Sequence, residues 1–480
     1  MENKPAQKYH LYQKIASGLE QQIKNNVLVI GDKLPSLREF CKIHGTSQTT
    51  ALKVYYELES KGLIETRPKS GYFISSSLKR VPELPRTSQP DPESGHIVIE
   101  ELLEKVYNNP APINITLAHA VVADELLPVA KLNKGLVVAM RELKGSGTAY
   151  GEIQGNEKLR KQIARHTFNM PDLNHENIIT TAGCINAIAY AMMALGKAGD
   201  TIAVESPVYF GVLQLARSLG LKVLELPTHP QTGIEIDALK KALEANKINL
   251  CLLVSNFSNP LGSLMPDEHK KEVVRLIQKY NIPLIEDDIY GDIYFGTNRP
   301  GTCKGFDESG LVLWCSSVSK TLAPGYRVGW LSPGKFKSEI LRLKLFHSIA
   351  STSITQEVIA NFLETGRYEH HLRKLRNTLH TNSLQYIRAI HDYFPEGTKV
   401  SRPQGGMVLW VEFDQKIDTV KLYDLALKKG ISIAPGRLFT LQDQFSNCMR
   451  LNYGTPWNDR LDKGLKDLAD SAIHLYNNFK

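Results

Sequence analysis

Apolar residues recur every four positions at Leu11, Ile15, Leu19 and Ile23, which predicts a first helix with a single buried face. Gly31 and Asp32 then mark a turn. Ser36-Leu37-Arg38-Glu39, directly after Pro35, has the spacing of a capping box and opens a second helix that Gly45 ends. Ser47 can cap a third helix, in which Ala51, Val54, Tyr55 and Leu58 share one side and Gly62 is the stop. The stretch 63–75 predicts a β-hairpin with Pro68, Lys69, Ser70 and Gly71 at its tip. From about residue 113 the pattern changes. Short apolar runs at 201–205, 222–226, 250–255, 282–287 and 311–316 are each followed by turn residues and an amphipathic segment. Alternating strands and helices of this kind predict a mostly parallel sheet covered by helices.

These elements divide the chain. Residues 10–76, three helices and a hairpin, have the order of a winged helix-turn-helix, an α+β unit. Residues 77–112 gather Pro82, Pro85, Pro90 and Pro92 among polar residues and predict a semi-rigid linker, with a helix still possible over 97–107. Residues 113–395 form the large α/β domain. Residues 396–480, where the rhythm breaks and 407–413 is one strand, predict a smaller α+β lobe.

Composition narrows the classes. Of 480 residues, 42% are hydrophobic and 22% charged, which excludes a disordered, collagenous or disulfide-scaffold chain. No apolar run approaches the roughly 18 residues of a membrane span. The start, MENKPAQKYH, has no apolar core of a secretory signal, so a cytoplasmic protein with no membrane partner is expected. The net charge of +8 is unevenly placed: residues 1–80 hold 13 Lys and Arg against 7 Asp and Glu. A basic excess in the first sixth of the chain suits either a polyanion partner for that unit or a solvated lysine-rich surface, and charge alone does not choose between them. The six cysteines include no CxxC pair and no histidine cluster accompanies them, so a metal site is not expected.

Open α/β sheets set their sites just beyond the carboxyl ends of the strands. Here those ends carry Asn256-Phe257-Ser258-Asn259-Pro260, then Glu286-Asp287-Asp288-Ile289-Tyr290, then Ser316-Ser317-Val318-Ser319-Lys320 through Arg327. An amine, a carboxylate, an amide, a phenol, hydroxyls and a guanidinium would thus meet in one crevice. Pyridoxal phosphate (PLP) would use every member. A lysine forms its Schiff base, a carboxylate keeps its pyridine nitrogen protonated, neutral donors hold its ring oxygen, and hydroxyls with an arginine fork hold its phosphate. Ser317-Val318-Ser319-Lys320 also fits the SxxK pattern of penicillin-recognising enzymes, but no S-D-N or K-T-G completes that site.

With these pieces in order, and with Tyr150-Gly151, Thr181-Ala182-Gly183, Glu205-Ser206-Pro207-Val208-Tyr209 and Arg450-Leu451-Asn452-Tyr453, residues 113–480 resemble a fold-type I PLP-dependent aminotransferase. Residues 10–76 resemble the GntR-type winged helix through Leu34-Pro35-Ser36-Leu37-Arg38 and the run 47–62. Both together are similar to the MocR subfamily of transcription regulators. The resemblance implies that Lys320 holds the cofactor covalently and Asp287 pairs with its ring nitrogen. It assigns the ring oxygen to Asn259 and Tyr290 and the ring face to Tyr209. The phosphate would sit on the backbone of Gly183 and Cys184 with Ser317, Ser319 and Arg327, at a helix N-terminus that suits an anion. Arg450 would grip an α-carboxylate, and Tyr150 would reach the phosphate of a neighbouring subunit in a homodimer.

On the reader, Ser47, Gln48, Thr49 and Lys53 would face the major groove of an operator duplex, and Gln48 favours adenine. Arg38 would meet the backbone or a base, and Arg67 and Lys69 phosphate or minor groove. The expected function is a DNA-binding regulator whose aminotransferase-like domain senses PLP, or an amino compound or amino acid effector condensed with it. The alternative is a working aminotransferase that also binds DNA.

Overall fold

The structure is a computed structural model, and it describes residues 11–24, 27–29, 31–67, 70–75, 82–91, 100–108, 112–166, 170 and 173–478. The chain separates into two compact units, Met1–Glu83 and Leu84–Lys480.

In the first unit, α1 (Leu11–Lys24), α2 (Leu37–His44) and α3 (Gln48–Ser60) precede an antiparallel pair, β1 (Ile64–Arg67) and β2 (Gly71–Ile74). Ser36 Oγ accepts from Glu39 N at 3.3 Å and Ser47 Oγ from Thr50 N at 3.2 Å, so both helices start where their caps predict. Gly45 ends α2 at φ +60°, a left-handed turn that costs glycine nothing. Ala16, Leu19, Phe40, Val54, Tyr55, Leu58, Ile64 and Ile74 close one core. Tyr55 Oη donates to Pro35 O at 2.7 Å, tying α3 to the start of α2. Leu11, expected on the buried face, is 59% exposed, because the first turn of α1 reaches beyond that core. Lys69 lies outside the described residues.

In the second unit, the strands in chain order are β3 (Ile115–Thr116), β4 (Ile179–Thr181), β5 (Thr201–Ser206), β6 (Lys222–His229), β7 (Gly233–Ile234), β8 (Leu250–Leu253), β9 (Leu284–Asp287), β10 (Val312–Ser317) and β11 (Gly329–Ser332). β4 to β11 make an eight-stranded sheet in the order β4-β11-β10-β9-β8-β5-β6-β7. Strands β5, β6, β8, β9 and β10 pair in parallel, and β11 runs antiparallel to both neighbours. Its two faces carry separate apolar layers, one with Ile188, Val204 and Leu313, the other with Leu239, Leu253 and Ile277. The strands are apolar throughout because both faces are covered.

The smaller lobe holds β12 (Lys399–Val400), β13 (Val408–Glu412), β14 (Ile431–Ser432), β15 (Ala434–Pro435) and β16 (Cys448–Asn452). It takes in more than residues 396–480. β3 pairs with β14, and Leu117, Ala118 and Val122 are buried against Leu409, Met449 and Tyr453. Of the stretch 117–122, Val121 alone stays exposed, at 42%. Within the segment 77–112, residues 84–91 are bound to the rest of the unit rather than free of it. Arg86 N donates to Glu412 at 2.7 Å, Ser88 N to Thr228 O at 3.2 Å, and Asp91 N to Gln442 at 2.7 Å. An extended backbone makes no hydrogen bonds within itself, so the N–H groups of its non-proline residues and its carbonyls are free for such pairing. Helix α4 (Glu100–Tyr107) follows, and Val106 anchors it in the lobe core. Among the described residues no helix is long and apolar enough to cross a membrane.

Candidate functional site

The carboxyl ends of β4, β8, β9 and β10 deliver the polar groups that the strand ends predict. Asp287 ends β9 opposite Cys315 of β10, and Lys320 lies three residues beyond the end of β10. Asp287 is buried, and its Oδ1 accepts from Ile289 N at 3.1 Å and from the Cys184 thiol at 3.3 Å. Burial raises its carboxyl to about 6 against the pull of those two bonds. Lys320 Nζ donates to Ala120 O at 2.6 Å. Burial, and then the charge of Arg450, push its amine down to about 8. A lysine in that range is roughly one-tenth free amine at pH 7, far more than at its ordinary value of about 10.4, and it is the free amine that a carbonyl-condensing nucleophile requires.

Opposite them, Asn259 Nδ2 lies 3.5 Å from Tyr290 Oη, and both residues are buried. Tyr209 begins the helix Phe210–Ser218, half-buried, its ring 4.5 Å from that of Phe210. The end expected to take the phosphate is built on the helix Cys184–Leu195, whose first N–H groups emerge at Gly183. Gly183 has φ +90°, and a Cβ there would stand 2.2 Å from Arg327 Nη2, so only glycine admits the guanidinium. Arg327 Nη2 donates to Ala182 O at 3.0 Å and Nη1 to Ser319 Oγ at 3.2 Å. Ser319 N donates to Ser317 Oγ at 3.2 Å. Two hydroxyls, a guanidinium and a helix N-terminus thus face one point, a donor set for a phosphate dianion.

Arg450 of β16 enters from the smaller lobe and is 1% exposed. Its Nη1 donates to Asn259 Oδ1 at 2.9 Å, and Nη2 to Tyr107 Oη at 3.1 Å and to Ala118 O. Tyr150 is 84% exposed.

Several residues of the site have roles that the sequence does not reveal. Tyr107 sits in the segment assigned to the linker, and its ring packs against His119 at 4.8 Å and Phe210 at 4.9 Å. Ala118 and Ala120 act through backbone carbonyls, which no side-chain motif reveals. The Cys184 side chain, expected to matter only for its N–H, instead donates to Asp287. Asp288, given no role by the sequence, is buried and accepts from Arg299 at 2.5 Å, Trp314 Nε1 at 2.9 Å and Asn256 at 2.8 Å, which braces the strand end behind Asp287. The buried acidic run at 286–288 was the available signal.

On the first unit, Arg38, Gln48 and Thr49 are exposed. Ser47 is exposed too, but its hydroxyl is engaged as the α3 cap. Lys53 is half-buried, and burial lowers its amine. Arg67 closes β1, paired in register with Gly71.

Comparison with known proteins accords with this arrangement. Residues 119–466 match the family model described as aminotransferase class I and II, and residues 11–74 that of the bacterial regulatory proteins of the gntR family. The chain is 34% identical to the uncharacterized HTH-type transcriptional regulator YjiR of Escherichia coli, over 96% of this chain and 98% of that one. It is 33% identical to YdcR of the same organism, over 95% and 98%. Among solved structures, the multiple substrate aminotransferase of Thermococcus profundus superposes with a TM-score of 0.73 at 26% identity, covering 78% of this chain and 95% of that one.

Proposed function

Because the chain belongs to the aminotransferase class I and II family and joins that domain to a GntR-type reader, as members of the MocR subfamily do, we propose that it is a transcription regulator that senses PLP or an amino compound bound with it. The observation that carries this reading is the meeting of Lys320, Asp287 and the Gly183–Arg327 cradle in a chain that also holds a basic reader.

The residues fit the cofactor on their own chemistry. Bound there, PLP would supply an aldehyde carbon for Lys320 Nζ and an electron-withdrawing ring. Asp287 would hold a proton on the ring nitrogen, and a cation placed there would in turn favour its carboxylate form. Asn259 and Tyr290 would orient the ring oxygen, and Tyr209 would cover a ring face. Ser317, Ser319, Arg327 and the N–H groups at Gly183 and Cys184 would bind the phosphate. Arg450 would take the carboxylate of an amino acid effector.

The reader would meet double-stranded DNA through Gln48 and Thr49 at the start of α3, with Arg38, Arg67 and Lys69 on phosphates and Lys53 in a minor part. Such a protein would work in the cytoplasm, as a homodimer. Val137, Val138, Met140 and Phe346 leave 50%, 43%, 48% and 78% of their surface exposed, an apolar display that a second copy would cover, and the exposed Tyr150 would then complete the neighbour's phosphate site. A second reading, turnover as an aminotransferase, is favoured by the presence of Arg450 beside Lys320.

A ligand shifts DNA binding only if it binds two states of the protein unequally, and couplings of this kind are commonly about 5- to 150-fold. The test measures affinity for a duplex selected in vitro from random sequence, with and without PLP, for wild type and Lys320→Ala. PLP is expected to change wild-type affinity about fivefold or more and to leave the variant unmoved. Equal affinity in all four arms contradicts sensing, and steady formation of a keto acid from an amino acid favours the second reading.

A further inference from the structure

Arg450 is not open to a ligand as it stands. Asn259 Oδ1 takes its Nη1, while Tyr107 Oη and Ala118 O together take its Nη2. Tyr107 Oη in turn donates to Ala118 O at 2.9 Å, closing a small ring of hydrogen bonds. Arg450 Nε is buried with no hydrogen-bond partner. A buried donor of a charged group left unpaired is costly, and it marks the edge at which an acceptor is wanted. A carboxylate approaching the Nε and Nη2 edge would make two parallel charge-assisted bonds, which are stronger than those from a neutral carbonyl and a phenol. To do so it must take Nη2 from Tyr107 and Ala118.

Of the two, Tyr107 has the looser support. It is the last residue of α4, a helix with one fully buried side chain, Val106. Leu102 and Leu103 are only partly buried where they pack against the lobe core, and the remaining ties are polar: the Lys105–Asp424 ion pair at 2.6 Å, the Arg217–Glu100 ion pair and the bond from the buried Tyr423 Oη to Lys105 O at 2.8 Å. Exposed ion pairs add little stability. Ala118, by contrast, is fully buried, and the neighbouring Leu117 pairs its backbone with Ser432 and Asn452. Helices with few buried contacts are the first to open locally.

We propose that Tyr107 is a positioning residue through which α4 reports the ligand's carboxylate. With Arg450 held by Tyr107 the helix is docked; a carboxylate on Arg450 releases the hydroxyl and with it the end of α4. In sequence, α4 lies between the bound stretch 84–91 and the residues of this site.

The inference rests on the PLP reading above, and one experiment separates the two. Full-length protein saturated with PLP is treated with aminooxyacetate or with methoxyamine. Both take the place of the Lys320 amine at the cofactor's C=N carbon, forming an oxime and returning that amine with no net release of water, but only the first carries a carboxylate. Hydrogen exchange is then read over residues 100–108. Exchange is expected to rise about fivefold or more with aminooxyacetate over methoxyamine, and in Tyr107→Phe the two probes are expected to give the same, already raised, exchange. Equal exchange with both probes in wild type, while both change the visible spectrum, overturns the proposal and leaves the PLP reading standing. No spectral change with either probe overturns the PLP reading and this proposal with it.

Discussion

Gly183→Ala isolates the phosphate cradle. At φ +90° and ψ 169°, residue 183 sits in a region that is essentially glycine-only, so an alanine there costs about 1–3 kcal/mol of backbone strain. That part is paid with or without cofactor and lowers the stability of the apoprotein. The effect on binding is separate. The new Cβ would lie 2.2 Å from Arg327 Nη2 and 2.8 Å from its Cζ, so the guanidinium must withdraw by about 1 Å or more to reach ordinary contact. Withdrawal breaks its bonds to Ala182 O and Ser319 Oγ and removes it from the point at which the helix N-terminus and the two serines converge. A hydrogen bond to a charged group contributes about 1.5–3 kcal/mol, which converts to a loss of about 10- to 150-fold in PLP affinity. The assay is titration of apoprotein with PLP by visible absorption, with thermal melting of both apoproteins to read the strain alone. A variant that melts lower yet binds PLP within about twofold of wild type would refute the phosphate role of this cradle.

Other consequences follow from the same geometry. Asp287 has its carboxyl raised from 3.8 to about 6, so its ionisation opposes folding of the apoprotein: the penalty is absent below the ordinary value, grows between 3.8 and about 6, and is complete above that. Asp287→Asn is therefore expected to raise the apoprotein melting temperature at pH 8, with the gain vanishing toward pH 4, while weakening PLP binding about tenfold or more. A melting temperature unchanged at pH 8 would count against the buried-carboxylate assignment. Phe346→Asp, at a side chain 78% exposed, should convert a dimer to a monomer in light scattering while each unit keeps its fold by circular dichroism; a variant that remains a dimer would place the second copy elsewhere.

What could be read in advance depended on how local the cause was. Ser36, Gly45 and Ser47 act within a few residues, so the caps of α2 and α3 were visible in the chain. The apolar runs of β5, β8, β9 and β10 follow from burial on both faces and were equally plain. Asp287, Asn259, Tyr290 and Lys320 follow from position, since each stands just past a predicted strand. Residues brought in by long-range crossings were hidden. Tyr107 meets Arg450 across 343 positions, and Ala118 meets it through a carbonyl that any residue would supply. The docking of 84–91 was hidden for the same reason, because its partners at Thr228, Glu412 and Gln442 are far along the chain. Lys53 shows a smaller effect of this kind: a helical wheel puts it outside, and the packing of the first unit half-buries it.

The account stands on covalent capture of the cofactor at one amine, and the most direct measurement is borohydride reduction of PLP-saturated protein followed by peptide mapping. A phosphopyridoxyl group on the peptide holding Lys320, and none at that peptide in Lys320→Ala, is the predicted result. An unmodified Lys320, or a label spread over surface lysines alone, would contradict it.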